Sequence, residues 1–209
     1  MRISKLLLGA LAVSALILAP LSGVAIAKPS SPPGHNKLTC FSGTTNHDGY
    51  GGICKLKGKS AKGRATLDNT DNNPNGDYAG VYTKHSAITG KPLGQIKNLG
   101  YHYTGTVTPK PGDLSLNVPL DENNDGTTEE YAYVDAFYCP GSHGHVDILN
   151  DPNCGIYVGQ STFYPNWNTL VTAHPKWKVA KDHPPILIAE RTPSEPPAFW
   201  KVNHVTFGK

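Results

Sequence analysis

Asp113-Leu114-Ser115-Leu116-Asn117-Val118-Pro119-Leu120 is the stretch on which the fold class turns. Leu114, Leu116, Val118 and Leu120 alternate with Ser115, Asn117 and Pro119, the period of an extended chain whose successive side chains point to opposite faces. Such a strand is expected to bury one face and turn the other to solvent, the habit of antiparallel sheets. To either side, short β-branched and aromatic runs are separated by Gly, Pro, Asn and Asp, and no long stretch repeats every 3.6 residues. Strands are expected at 64–67, 80–83, 99–107, 113–120, 129–138, 146–149, 156–158, 177–180, 186–190 and 199–207. One short helix is expected at 167–173, capped by Asn166 and stopped by Pro175. About ten short strands with a single helix predict an all-β, two-sheet β-sandwich of the jelly-roll kind.

The N-terminal end of the 209-residue chain has a different texture. Arg2 and Lys5 precede an apolar run over 6–18, and Ala25-Ile26-Ala27 supplies the small residues after which a signal peptidase cuts. Residues 1–27 therefore read as a signal peptide, 28–37 as a flexible leader rich in Pro and Ser, and 38–209 as a single β-sandwich domain. A retained membrane anchor is the competing reading, but the apolar stretch falls short of the ~20 residues that a spanning helix needs. The expected location is secreted and extracellular, with no membrane partner after cleavage. Cleavage also lowers the formal charge from +3 to +1, since Arg2 and Lys5 leave with the signal. Near neutrality removes the electrostatic reason to seek nucleic acid.

Four cysteines, Cys40, Cys54, Cys139 and Cys154, remain in the expected mature chain, and an even count in a secreted protein favours two disulfides. Pairing Cys40 with Cys54 and Cys139 with Cys154 closes the shorter loops, an advantage of roughly 1.7 kcal/mol per bridge in closure entropy. A zinc site built from all four is the rival, and it lacks the short C-x-x-C knuckles such sites use.

The best chemical motif follows the alternating strand: Asp121-Glu122-Asn123-Asn124-Asp125-Gly126. Oxygen-bearing side chains at positions 1, 3 and 5, then a glycine for the sharp turn, are what a calcium loop needs, because a hard cation wants several oxygens converging at short range. Asp121, Asn123, Asp125, Thr127 and Glu129 form the expected ligand set for calcium. This is not an EF-hand: Ala132 stands where the bidentate glutamate would be, and strands rather than helices flank the loop. A polar hairpin turn is the plain alternative. A weaker copy, Asp71-Asn72-Asn73-Pro74-Asn75-Gly76, reads better as an Asn-Gly turn. His143, His145 and Asp147 share one side of an extended chain and raise a transition-metal possibility, against which stands a solvated loop within a disulfide. Of Trp167, Trp177 and Trp200, Trp167 is the expected platform for a sugar ring, because it opens the helix rather than lying inside a strand.

Gly63-Arg64-Ala65-Thr66-Leu67-Asp68 through Asp77-Tyr78-Ala79-Gly80-Val81-Tyr82, the 121–126 loop followed by Tyr131-Ala132-Tyr133-Val134-Asp135, and the terminal run from Trp200 to Gly208 together resemble uncharacterised secreted bacterial proteins with a concanavalin-like jelly-roll domain. The resemblance implies that the first and last strands lie side by side and that glycan binding is plausible. The glycosidases of that superfamily carry Glu-x-Asp-x-Glu on one strand, and Glu130-Tyr131-Ala132-Tyr133-Val134-Asp135 does not reproduce it. Three function classes follow. The leading one is a secreted, calcium-stabilised, non-catalytic binding module for carbohydrate, its partner a polysaccharide or glycan. A glycoside hydrolase or lyase would draw on Glu129, Glu130, Asp135 and Glu190 as its strand-borne carboxylates. An adhesive or structural extracellular protein is the third. An aromatic, concave sheet face would favour the glycan binder, and a flat polar one the structural protein.

Overall fold

A computed structural model of the protein describes residues 37–44, 51–57, 64–70, 76–140, 144–159, 161–192 and 195–208. The expected signal peptide, the leader up to residue 36, residues 71–75 of the weaker cation loop and His143 lie outside the described residues. The chain forms β1 (Leu38–Thr44), β2 (Ile53–Leu56), β3 (Ala65–Asn69), β4 (Asp77–Thr83), β5 (Leu99–Gly105), β6 (Leu114–Asp121), β7 (Glu130–Asp135), β8 (His145–Asp147), β9 (Ile156–Val158), β10 (Thr162–Tyr164), α1 (Trp167–Ala173), β11 (Lys178–Val179), β12 (Ile186–Arg191) and β13 (Ala198–Phe207). These strands make two antiparallel sheets. The larger runs β1-β4-β12-β6-β7-β9-β10 with β11 added to β6, and the smaller runs β2-β3-β13-β5-β8. The described residues form an all-β, two-sheet sandwich with one short helix.

The alternation in β6 sets its inward face. Leu114, Leu116, Val118 and Leu120 are fully buried, as are Ala79 and Val81 of β4, Leu187 and Ala189 of β12, and Ala132 and Val134 of β7. From the smaller sheet Leu67, Tyr101, Trp200 and Val202 meet them in one core. The Tyr101 hydroxyl donates to the Leu114 carbonyl at 3.2 Å, which fixes a strand of one sheet to a strand of the other. The Cys40–Cys54 disulfide also joins the sheets, β1 to β2, and Cys139–Cys154 closes the segment between β7 and β9. Both bridges are the local ones that loop entropy favours. Asn166 caps α1 as expected, its Oδ1 accepting from the Thr169 N–H at 2.9 Å.

One expectation is corrected. The outward face of β6 does not meet solvent: Ser115 and Asn117 are only 5% and 7% exposed. The reason is that β6 lies mid-sheet between β7 and β12, whose bulky outward side chains stand beside these small polar ones; Ser115 Oγ donates to Asn117 Oδ1 within this row. The first and last of the expected strands, 64–67 and 199–207, lie side by side as β3 and β13. β13 is the longest strand, and with Trp200 and Val202 inward it takes a central place in the smaller sheet, whereas β1 forms an edge of the larger one.

At one end of the sandwich Arg191 and Asp77, paired in register on β12 and β4, form an ion pair of 3.1 Å with side chains 2% and 0% exposed. Arg191 also donates to the Glu195 carbonyl at 3.2 Å. Removing one partner strands the other charge in the protein, whereas replacing both removes the desolvation cost together with the attraction. Arg191→Met should therefore lower the unfolding free energy by about 3–5 kcal/mol, and adding Asp77→Asn should recover part of it. Urea denaturation of both variants is the check, and a single-variant loss below about 1 kcal/mol would show that the pair carries little.

Candidate functional site on the outer face of the larger sheet

Register brings together side chains that are far apart in sequence. Thr39 pairs with Tyr82, Tyr82 with Ile186, Ile186 with Asn117, Asn117 with Tyr133, Tyr133 with Tyr157, and Tyr157 with Phe163. Residues paired in this way point to the same side of a sheet. One row across the outer face thus carries Tyr82, Tyr133, Tyr157 and Phe163, with Asn117 between the first two. From β4 to β10 the row crosses five strand intervals, about 24 Å at ~4.8 Å each. The neighbouring row runs Phe41, Gly80, Ile188, Ser115, Asp135.

The aromatic rings fall into two groups. On one side Phe41 lies 6.2 Å from Tyr78 and 6.1 Å from Tyr82. Gly80 permits this: a Cβ there would come within 2.4 Å of the Phe41 ring. On the other side Tyr131 and Tyr133 are 6.1 Å apart, and Tyr157 sits 5.2 Å from Tyr138 and 5.1 Å from Phe163. Phe137 and Phe163 are 48% and 49% exposed, an unusual cost for phenyl rings in water, and the tyrosines are half-buried. Burial pushes the Tyr133 hydroxyl up to about 12, with Glu130, Tyr131 and Glu190 adding to it, so it is a neutral donor throughout the physiological range. Between the groups lie Ile186, Ile188 and Glu190 of β12, the nearly buried Ser115 and Asn117 of β6, and the Asp135 carboxylate. A surface with rings at both sides and the exposed Glu190 between them can hold a flat, hydroxyl-rich ligand.

The four candidate carboxylates do not converge. Glu129 belongs to the loop after β6, and Glu130 lies on the β7 face opposite that of Tyr131, Tyr133 and Asp135. Only Asp135 and Glu190 share the outer face. Both oxygens of Asp135 are engaged by backbone, Oδ1 by the Phe137 N–H at 2.9 Å and Oδ2 by the Gly112 N–H. Burial raises its pKa to about 6 despite those bonds, with Asp113 adding to the rise. Glu190 is exposed as a residue, yet desolvation of its carboxyl, then Asp135 and Glu195, push its pKa up.

The loop between β6 and β7 gathers Asp121, Asp125 and Glu129, each with a ligand oxygen within 4.8 Å of the others. Asp121 Oδ2 accepts from the Gly126 N–H at 3.0 Å, Asp125 Oδ1 from the Thr127 N–H at 2.8 Å, and Glu129 from the Glu122 N–H and the Asn123 amide. Asn124 and Gly126 have φ of 70° and 96°, the left-handed turn the motif predicts. Asn123 and Thr127 serve within the loop: Asn123 Oδ1 accepts from the Asp125 N–H, and the Thr127 hydroxyl donates to Asp125 and Glu129. Asp121 is 2% exposed, and its Oδ1 has no hydrogen-bond partner among the described residues. A buried carboxylate oxygen with nothing bound is costly, and the three-carboxylate set suits a hard cation. The residues fit a metal ion.

Trp167 is not a platform. It is 5% exposed, packs in the core and donates its indole N–H to the Leu93 carbonyl at 3.4 Å, because the amphipathic helix it opens turns Trp167 and Leu170 inward. Trp200 is fully buried, and Trp177 stacks on His174 at 3.5 Å. The aromatic rows were missed because their members are spread over five strands and become neighbours only through register. Their one linear trace is the alternation Tyr131, Tyr133, Asp135. Of the set suggested with His143 and His145, Asp147 accepts from the Asn150 amide through both carboxylate oxygens, and His143 lies outside the described residues. No family model, no curated protein and no solved structure matches the chain.

Asp135 gives the fold a proton-linked signature. Its folded pKa of about 6 exceeds the ordinary 3.8, so the native state holds a proton that the unfolded chain has lost between those values. Folding then takes up a proton, and stability from this group falls as pH rises from about 4 through about 6, by about 3 kcal/mol in all. Urea unfolding of the protein and of Asp135→Asn across pH 4–7 should show their stability difference moving in that window. A difference that stays flat with pH would contradict it.

Proposed function

We propose that this protein is a secreted, calcium-stabilised, non-catalytic module that binds polysaccharide across the outer face of its larger sheet. The observation that carries the reading is the outward row Tyr82, Ile186, Asn117, Tyr133, Tyr157, Phe163, which lines up four aromatic rings over a length suited to several sugar units. Each pyranose offers an apolar C–H face to a ring and hydroxyls to the tyrosine hydroxyls and to Glu190, which is exposed between the two ring groups. The backbone bonds on Asp135 support a binding rather than a hydrolytic role, since a glycosidase needs a second carboxylate free to act on the sugar. Two disulfides support secretion, and among the described residues no helix is long and apolar enough to cross a membrane. Calcium is the cation in this reading, held by Asp121, Asp125 and Glu129 with help from Asn123 and Thr127; bound there, it supplies positive charge to a buried carboxylate.

The binding test is affinity electrophoresis against a polysaccharide panel, with reducing-sugar release measured in parallel. Tyr82→Ala and Tyr133→Ala should each weaken binding about tenfold, a loss of ~1.4 kcal/mol for one stacked ring, without changing which polysaccharide is bound. Retention unchanged by both substitutions would move the ligand elsewhere. Sugar release that disappears in Glu190→Gln would make the protein an enzyme instead.

Calcium should raise the melting temperature through the 121–129 loop. At a hundredfold excess over its dissociation constant a cation that binds only the folded state adds about 2.7 kcal/mol. Asp121→Asn with Asp125→Asn should remove the response, as read by thermal unfolding in chelator and in millimolar calcium. An identical transition in both conditions would reduce the loop to a polar turn.

A further inference from the structure

The smaller sheet carries a second cluster on its own outer face. His102 of β5 pairs in register with His145 of β8 on one side and with Asn203 of β13 on the other. The His102 ring lies 4.1 Å from that of His145 and 4.8 Å from that of His204, centroid to centroid, with tilts of 51° and 45°. Strict alternation would turn His204 to the inward side, since Asn203 already points outward beside His102. It does not, because β13 is irregular between Asn203 and Thr206, and His204 takes φ of 49°, a left-handed conformation that a residue with a Cβ adopts at a cost of order 1 kcal/mol or more. The irregularity leaves the imidazole exposed and next to His102.

We propose that His102, His145 and His204 form a binding site for a divalent first-row transition ion, with zinc as its simplest occupant. Imidazole nitrogen is the ligand such ions share. With metal–nitrogen bonds of about 2.0–2.1 Å, two imidazoles on one tetrahedral ion have ring centroids roughly 5 Å apart, so the His102–His204 pair stands near that spacing and the closer His102–His145 pair opens by about 1 Å to share an ion. His204 Nδ1 lies 2.5 Å from Asn203 Oδ1, an acceptor only, so the proton sits on Nδ1 and Nε2 keeps its lone pair for a metal. The pKa of His102 is lowered by burial and by its two neighbouring imidazoles, which keeps it in the neutral, ligating form. Among the described residues only the Asp121 loop has three metal-ligand atoms already within 4.8 Å of one another. Drawing in the third imidazole needs rotation of His145, which is exposed. A bound ion would clip the short edge strand β8 to β5 and β13. The site is separate in chemistry from the carboxylate loop: nitrogen ligands and a borderline ion against oxygen ligands and a hard one.

The experiment is isothermal titration of zinc chloride into tag-free protein held in excess calcium at pH 7.5, repeated at pH 5.5, with cobalt(II) absorption as a second readout of nitrogen ligation. One equivalent should bind at pH 7.5. Affinity should fall at least about tenfold in His102→Gln and in His145→Gln, and at pH 5.5 as protons compete for the ring nitrogens. His85→Gln and His183→Gln, exposed and outside the cluster, should bind as the parent does. Thermal unfolding without metal checks that the variants fold, since all three positions lie on the surface of the sheet. Absence of saturable zinc binding, or binding that survives both His102→Gln and His145→Gln, would overturn the proposal.

Discussion

The burial of Leu114, Leu116, Val118 and Leu120 is the constraint on which the rest of the structure depends. A slip of one residue in β6 would move the whole apolar row to the opposite face and place Ser115 and Asn117 in the core. With that row held inward, the partners on either side are held as well: β7 and β12 must set Ala132, Val134, Leu187 and Ala189 beside it. Their alternate residues are then committed to the outer face. Tyr131, Tyr133 and Asp135 on one side and Ile186, Ile188 and Glu190 on the other stand there as a consequence of core packing, and the aromatic row is the reverse side of the hydrophobic one.

Carboxylates at strand ends meet the cost of burial in different ways. Asp77 at the start of β4 is paired with a buried guanidinium. Asp135 at the end of β7 accepts two backbone N–H groups and still has its pKa raised to about 6, so hydrogen bonds alone do not offset its desolvation. Asp121 at the end of β6 has one oxygen on the Gly126 N–H and the other without a partner, close to two more carboxylates. Of the three, only Asp121 lies in a loop whose remaining groups are oxygens, so a cation is the partner that would complete it.

Much of this was legible in the chain. The period-two run of 113–120 marked the central strand, Asn166 marked the helix start through the Asx cap that it makes, and the short cysteine spacings marked the bridges that form. These are local signals, read within about fifteen residues. β1, β2 and β10 were not recognised; β2 is four residues long with Leu56 set between Lys55 and Lys57, and β10 is three residues long, too little for a period to show. The outer face of β6 was read as solvated because one strand cannot report the size of its neighbours' side chains. Trp167 was placed outside because opening a helix says nothing about which side of that helix faces the core. The aromatic row and the histidine cluster are both products of register between distant strands, and for His204 of a backbone irregularity as well.

The carboxylate loop and the aromatic face are mechanically joined. Asp121 ends β6 and Glu129 precedes β7, so the two strand ends that meet at the loop are those whose outward residues are Asn117 and Pro119 on one and Tyr131 and Tyr133 on the other. The Glu129 N–H donates to the Leu120 carbonyl at 3.0 Å, the first rung of that ladder. An ion shared by Asp121 and Glu129 would tighten this rung and limit fraying of the hairpin, and with it the spread of the Tyr131 and Tyr133 rings. If sugar binding needs those rings in place, ion and sugar favour the same hairpin state, and linkage then requires each to raise the affinity for the other by the same factor. The smaller sheet lies outside that coupling, because its imidazoles are on β5, β8 and β13, which share no ladder with β6 or β7.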